Sequence, residues 1–156
     1  MSNLFYRYQN VCLYGDDVKM CCSPDDYQAS SSEPISFIQE FCEGKPRVAK
    51  EFKLLWTKSY AQISHLAVHY EKDLFMLEGD DAFAIANMVG DSYNAVDNPL
   101  IKAFDSNKNR DEKSVFISSE ASDDEPQGVE IKFETIQKVH EITIVPRGTT
   151  AVLLNR

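Results

Sequence analysis

Apolar and polar residues alternate most regularly toward the C-terminus: Val129, Ile131 and Phe133 are interleaved with Glu130, Lys132 and Glu134, and Ile142 and Ile144 flank Thr143. A period of two places each apolar set on one face of a strand, so this stretch predicts consecutive antiparallel strands. Pro146-Arg147-Gly148 then turns the chain into a last β-rich segment, Thr149 to Leu154. The N-terminus carries a similar signal, with β-rich Leu4 to Tyr8 and Val11 to Tyr14, turn chemistry at Gly15-Asp16-Asp17, and Val18 to Cys22 beyond it. A hairpin is expected there.

Between these ends the spacing changes. Ile35, Ile38, Phe41 and Cys42 recur at helical intervals after Glu33-Pro34 and stop at Gly44, which predicts a short amphipathic helix. After Lys45-Pro46, the positions Val48, Phe52 and Leu55 predict a second helix through about Thr57. The next stretch fits two templates: Ile63, Leu66 and Tyr70 suit a helix, whereas Leu66, Val68 and Tyr70 suit alternation. The charged break Glu71-Lys72-Asp73 before Leu74 to Leu77 favours strand, turn and strand. Gly79-Asp80-Asp81 supplies a break and an acidic cap for a nearly all-apolar helix, Ala82 to Val89. Residues Gly90 to Lys113 are polar and turn-rich, with a short helix from Asn98-Pro99 through Phe104 and solvated loop from Asp105 to Lys113. Val115 to Ile117 reads as a strand and Ser118 to Gly128 as an exposed acidic loop. The expected fold is α+β: an antiparallel or mixed sheet built from the N-terminal hairpin and the C-terminal strands, packed against a layer of two to four helices, with residues 1–156 forming one domain.

Length and composition agree with a folded chain. A domain of roughly 150 residues buries about 68–70% of its unfolded surface, and a content of 43% hydrophobic and 26% charged residues is that of ordinary globular proteins. The first residues, MSNLFYRYQNVCLYGDD, lack a continuous apolar h-region, and nowhere do about 18 apolar residues run together. The expectation is a soluble, cytoplasmic protein, in the host cytoplasm if it is viral, with no membrane partner. On that basis Cys12, Cys21, Cys22 and Cys42 are expected as reduced, buried thiols, since vicinal Cys21 and Cys22 make a two-bridge framework awkward.

Charge alters the picture further. With 25 acidic against 16 basic residues, the long-range field disfavours phosphate backbones and anionic lipid and favours basic partners. The aspartates recur in pairs at turns: Asp16-Asp17, Asp25-Asp26, Asp80-Asp81 and Asp123-Asp124, the last extended by Glu125. Turn and cap chemistry explains such pairs, and so does a negative surface that steers a basic protein. A single basic island, Lys45, Arg47, Lys50, Lys53 and Lys58, surrounds Trp56. It reads either as a solvated face over a core tryptophan or as cations beside a stacking indole.

Catalytic signatures are sparse. His65 and His69 share a face on either a helix or a strand and could begin a metal site, but Leu66 stands where a zincin needs glutamate. No CxxC pair, phosphate-binding glycine loop or GxSxG elbow occurs, and no cofactor is expected. The leading expectation is a non-enzymatic protein-interaction or assembly factor, of the kind a virus or phage encodes as a virion assembly component or an inhibitor of a host protein. Its acidic surface would comprise Asp16, Asp17, Asp80, Asp81, Asp123, Asp124 and Glu125, with Arg47, Lys50, Lys53, Trp56 and Lys58 as a second, basic and aromatic patch. A single-stranded nucleic-acid binder using that patch with Tyr6, Tyr8 or Tyr14, and a metal-dependent hydrolase centred on His65 and His69, are the alternatives. A homo-oligomer is compatible with strand edges that need covering.

Overall fold

A computed structural model of the chain describes residues 8–9, 11–24, 34–71, 75–105 and 114–147. The strands in chain order are β1 (Tyr8–Gln9), β2 (Cys12–Gly15), β3 (Val18–Cys22), β4 (Ile35–Ser36), β5 (Arg47–Trp56), β6 (Lys58–Ser59), β7 (Gln62–Tyr70), β8 (Phe75–Leu77), β9 (Ala86–Val89), β10 (Phe116–Ile117) and β11 (Gln127–Pro146). Among the described residues these are accompanied by two short helices, α1 (Phe37–Phe41) and α2 (Gly79–Ala84), and a 3-10 turn at Leu100–Ala103.

Strand makes up 54% and helix 14%, so the structure is a curled antiparallel sheet and not the expected α+β sheet against a helical layer. The cause is β11. It runs for 20 residues as one strand, where the alternation suggested consecutive antiparallel strands. Along one edge it pairs first with β5 and then with β4; along the other it pairs with β9 and then β7. Two segments with helical spacing are thereby drawn into the sheet. Residues 47–56 become β5, with Phe52, Leu54 and Trp56 inward and Lys53 and Leu55 outward. Residues 86–89 become β9, so that of the third expected helix, Ala82 to Val89, only residues 82–84 are helical, and α2 begins earlier, at Gly79, where a break and cap were expected. An unpaired ladder edge beside β11 outweighs helix propensities worth only tenths of a kcal/mol per residue.

Bulges let one strand serve two sheet regions. Register shifts fall between Lys132 and Gln137 and between Val139 and Glu141. Across them the buried positions change parity, from Val129, Ile131 and Phe133 to Ile142 and Ile144. An extra residue in one strand bends it and reassigns its faces in this way. The sheet curls enough that Leu13 of β2 and Leu66 of β7, on opposite sides of β5 and β11 in the strand order, line one small apolar cavity of ≈ 20 Å³.

Other expectations fit the structure. The hairpin is β2 and β3, with Asp16 and Asp17 at positive φ in the turn. The strand, turn and strand reading of 63–77 corresponds to β7 and β8. Of the first helix, only Phe37–Phe41 is helical, and Ile35–Ser36 pair with β11. The segments Leu4 to Arg7, Ser106 to Lys113 and Thr149 to Leu154 lie outside the described residues.

Gly128 sits where β11 is flanked by both β5 and β9. A Cβ there would stand 2.1 Å from the Leu54 carbonyl oxygen and 2.6 Å from Leu55 Cδ2. Since backbone cannot yield as a side-chain tip does, Gly128→Ala is expected to destabilise the protein by about 2 kcal/mol or more, read as a lower urea midpoint at unchanged slope. A midpoint within experimental scatter of wild type would show that β11 and β5 are not packed this closely.

Candidate interaction surface

Two of the sequence-predicted acidic pairs stand in structural roles. Asp16 follows β2 in the hairpin turn, and its Oδ1 accepts hydrogen bonds from the backbone N–H groups of Lys50 at 3.1 Å and Glu51 at 3.0 Å. It thus serves β5 amides just beyond the last β2 pairing, Gly15 with Phe52. Asp17 accepts a 2.9 Å hydrogen bond from Lys53 Nζ. Lys53 also faces Glu51 at 3.6 Å and Glu130 at 3.9 Å, while Lys132 reaches Glu51 at 3.6 Å and Glu130 at 3.8 Å. Cross-strand register creates this checkerboard, because Lys53 lies opposite Glu130 and Glu51 opposite Lys132. Asp80 and Asp81 occupy the first turn of α2, where negative charge complements the helix dipole.

The basic island is therefore not a uniform cationic patch. Arg47 donates to the carbonyls of Lys45 and Cys42, and Lys45 pairs with Glu43. Lys50 and Lys58 are exposed. Trp56 is 0% exposed, and its Nε1 donates to Ser118 Oγ at 3.1 Å. An indole so placed has no face on which a base could stack. Tyr14 is half-buried; Tyr6, the Tyr8 side chain and Asp25-Asp26 lie outside the described residues.

The two histidines share one face of β7 but have different partners. His65 Nε2 lies 3.0 Å from Glu78 Oε1, and His69 Nε2 lies 3.2 Å from Thr143 Oγ1. Among the described residues, no group of three His, Cys, Asp or Glu side chains is placed to hold a metal ion.

The remaining acidic cluster is brought together with residues that the spacing did not single out. The segments 91–98 and 118–125 are tied side by side: Ser92 bridges Ser118, Tyr93 N–H donates to the Ile117 carbonyl at 2.8 Å, and Ser119 N–H donates to the Asp91 carbonyl at 2.8 Å. The Gln127 carboxamide oxygen accepts from the Asp91 amide at 2.8 Å. Asn94 Oδ1 accepts from the amides of Val96 and Asp97 at 3.0 and 3.1 Å, an Asx-type turn. Asn98, buried, anchors the end of that turn by donating to the Val115 carbonyl. Ser122 holds a second tight turn, accepting from the Glu125 amide at 3.1 Å.

These bonds fix what the loops present. Tyr93 is 68% exposed and Val96 is 86% exposed. Asp91, Asp97, Glu120, Asp123, Asp124 and Glu125 are exposed on the same two segments. Of these, Asp123, Asp124 and Glu125 were expected as site residues and Glu120 as part of the same exposed acidic loop. The signal for the rest was two large apolar residues isolated in a polar, turn-rich stretch with no period that could bury them.

Compared with known proteins, the chain matches no family model, and no curated protein or solved structure is significantly similar to it.

The checkerboard has a consequence in alkaline solution. The Lys53 ammonium is held above its ordinary pKa, first by the hydrogen bond to Asp17, against a smaller opposing effect of burial, and then by the charges of Asp17, Glu51 and Glu130. A raised lysine pKa contributes stability that is fully present below the unfolded-state value and is lost as pH rises through the folded value. Asp17→Asn is expected to lower the Lys53 pKa, followed by the ¹³Cε shift during a titration, and to cost no more than about 1 kcal/mol because the pair is surface-screened. An unchanged Lys53 titration in Asp17→Asn would show that Asp17 is not its principal partner.

Proposed function

We propose that this chain is a non-enzymatic protein-interaction factor that binds a partner with a basic surface through the tied segments 91–98 and 118–125. The observation that carries this reading is the combination of exposed Tyr93 and Val96 with six exposed carboxylates on backbone that is already hydrogen-bonded into place. Tyrosine is favoured as an interface anchor because it supplies a large amphipathic area for the loss of few rotamers. Carboxylates around such an anchor steer a cationic partner and raise the association rate more than they deepen affinity. Pre-ordering matters too, since loops held by Gln127, Asn94, Asn98 and Ser122 lose little further conformational entropy on binding.

Other acidic sites support this division of labour. Asp16 and Asp17 are engaged within the fold and Asp80 and Asp81 stand in the first turn of α2, so the negative surface proposed for partners narrows to Asp91, Asp97, Glu120 and the 123–125 turn.

The test is to capture partners from the native source with the wild-type chain and then measure binding kinetics with the purified partner. Tyr93→Ala is expected to weaken binding by at least about tenfold, mainly through faster dissociation. Asp123→Lys with Asp124→Lys is expected to slow association and flatten its salt dependence while leaving dissociation nearly unchanged. If both variants bind as wild type does, this surface is not the site.

A further inference from the structure

All four cysteines are paired in the fold, Cys12 with Cys22 and Cys21 with Cys42. Strand geometry explains how vicinal residues manage this. Neighbours on a strand point to opposite faces, so Cys21 and Cys22 reach different partners without competing. Cys22 lies directly opposite Cys12 in the β2–β3 ladder. That pair lines a surface groove of ≈ 340 Å³ with Tyr14, Lys19 and Asp123. Cys21 faces the other way, packs against the core, and meets fully buried Cys42 at the end of α1. The adjacency that made a two-bridge framework look awkward is what permits it.

The bridges also join an end strand of the sheet to a short helix. β3 stands at the end of the sheet order, pairs with β2, and has no fully buried residue. α1 has five residues, far fewer than a helix needs to persist by itself. Its first amides are satisfied from a distance, by Glu141 of β11, which accepts from Ile38 N–H at 2.6 Å and Gln39 N–H at 3.0 Å. Cys21–Cys42 joins these two elements to each other, and Cys12–Cys22 secures β3 to β2.

We propose that the working form of this chain is the doubly oxidised one and that it operates in an oxidising compartment, outside the reducing cytosol, where such bridges form and persist. This replaces the cytoplasmic, free-thiol expectation and is independent of the partner-binding reading above. Each bridge forms by exchange with a donor disulfide of the dithiol-oxidant class. One cysteine thiolate attacks the donor to give a mixed disulfide, the second thiolate displaces it, and the donor leaves as a dithiol carrying the two electrons and two protons. In the folded protein the two bridges differ in access: a dithiol reductant reaches Cys12–Cys22 in its groove before it reaches Cys42 in the core.

Protein from the native source, acid-quenched and then unfolded in the presence of excess maleimide so that any free thiol is trapped, decides the matter by mass. The expected result is no alkylation, a mass four hydrogens below that of the reduced chain, and linked peptides that fragmentation between Cys21 and Cys22 resolves as 12–22 and 21–42. Reductant should lower Tm by roughly 10–20 °C, taking about 3 kcal/mol per closed loop of this size as a shift in midpoint. The double variant Cys12→Ser/Cys22→Ser should retain the buried bridge and melt at an intermediate temperature. Alkylated cysteines in the native-source protein, a different pairing, or a Tm unmoved by reductant would each overturn the proposal.

Discussion

The fold depends on the hydrogen-bonded edges of one long strand. β11 offers a row of backbone donors and acceptors on each side over 20 residues, and each side takes two partners in succession, β5 with β4 and β9 with β7. Every one of those partners is held in place by the same strand, so its bends become the curvature of the sheet. The bulges at 132–137 and 139–141 switch which side chains face inward, and the inward sets from both halves meet in a single core with Leu13, Phe52, Leu54 and Leu66. A buried ladder left unpaired would cost a few kcal/mol per orphaned amide. That penalty is large compared with the propensities that would have made residues 47–56 and 86–89 helical.

The acidic residues divide according to what the ladder leaves unsatisfied. Where β2 stops and β5 continues, Asp16 takes up two β5 amides. Where α1 begins without a side-chain cap of its own, Glu141 supplies one from the second β11 bulge. Carboxylates in these positions are part of the architecture. Those on segments 91–98 and 118–125 are different: their backbone is tied down by neutral groups, Gln127, Asn94 and Ser122, and their side chains face solvent beside Tyr93 and Val96. Asp97 also accepts from Asn94 Nδ2 at 3.1 Å within its own turn, and the exposed negative charge of these segments is what the proposed partner would meet.

Much of the sheet was legible from the sequence and most of the helical layer was misread, for one physical reason. Alternation at 129–133 and 142–144 and the Gly15-Asp16-Asp17 turn are local signals, and they match β11 and the β2–β3 hairpin. Val48, Phe52 and Leu55 also have a genuine helical spacing. In β5 the buried set is Ala49, Phe52, Leu54 and Trp56, whose three-residue step from 49 to 52 mimics a helical period. That step lies opposite the first β11 bulge, a long-range feature with no local signature. For the candidate surface, the turn-borne 123–125 cluster was readable, whereas Tyr93 acquires meaning only once its loop is tied against Ile117. The cysteine pairing was hidden in the same way, since it requires both the strand register and the docking of α1.

Native-state hydrogen exchange resolved by residue tests the central role of β11 most directly. If one strand organises the sheet, the amides of Val129, Ile131, Val139, Ile142 and Ile144 in both of its halves exchange only through global unfolding, with a common free energy equal to that from denaturant titration. Two distinct values, one for residues 127–132 and a lower one for 139–146, would mean that the halves open independently and that β11 is not the element on which the rest depends.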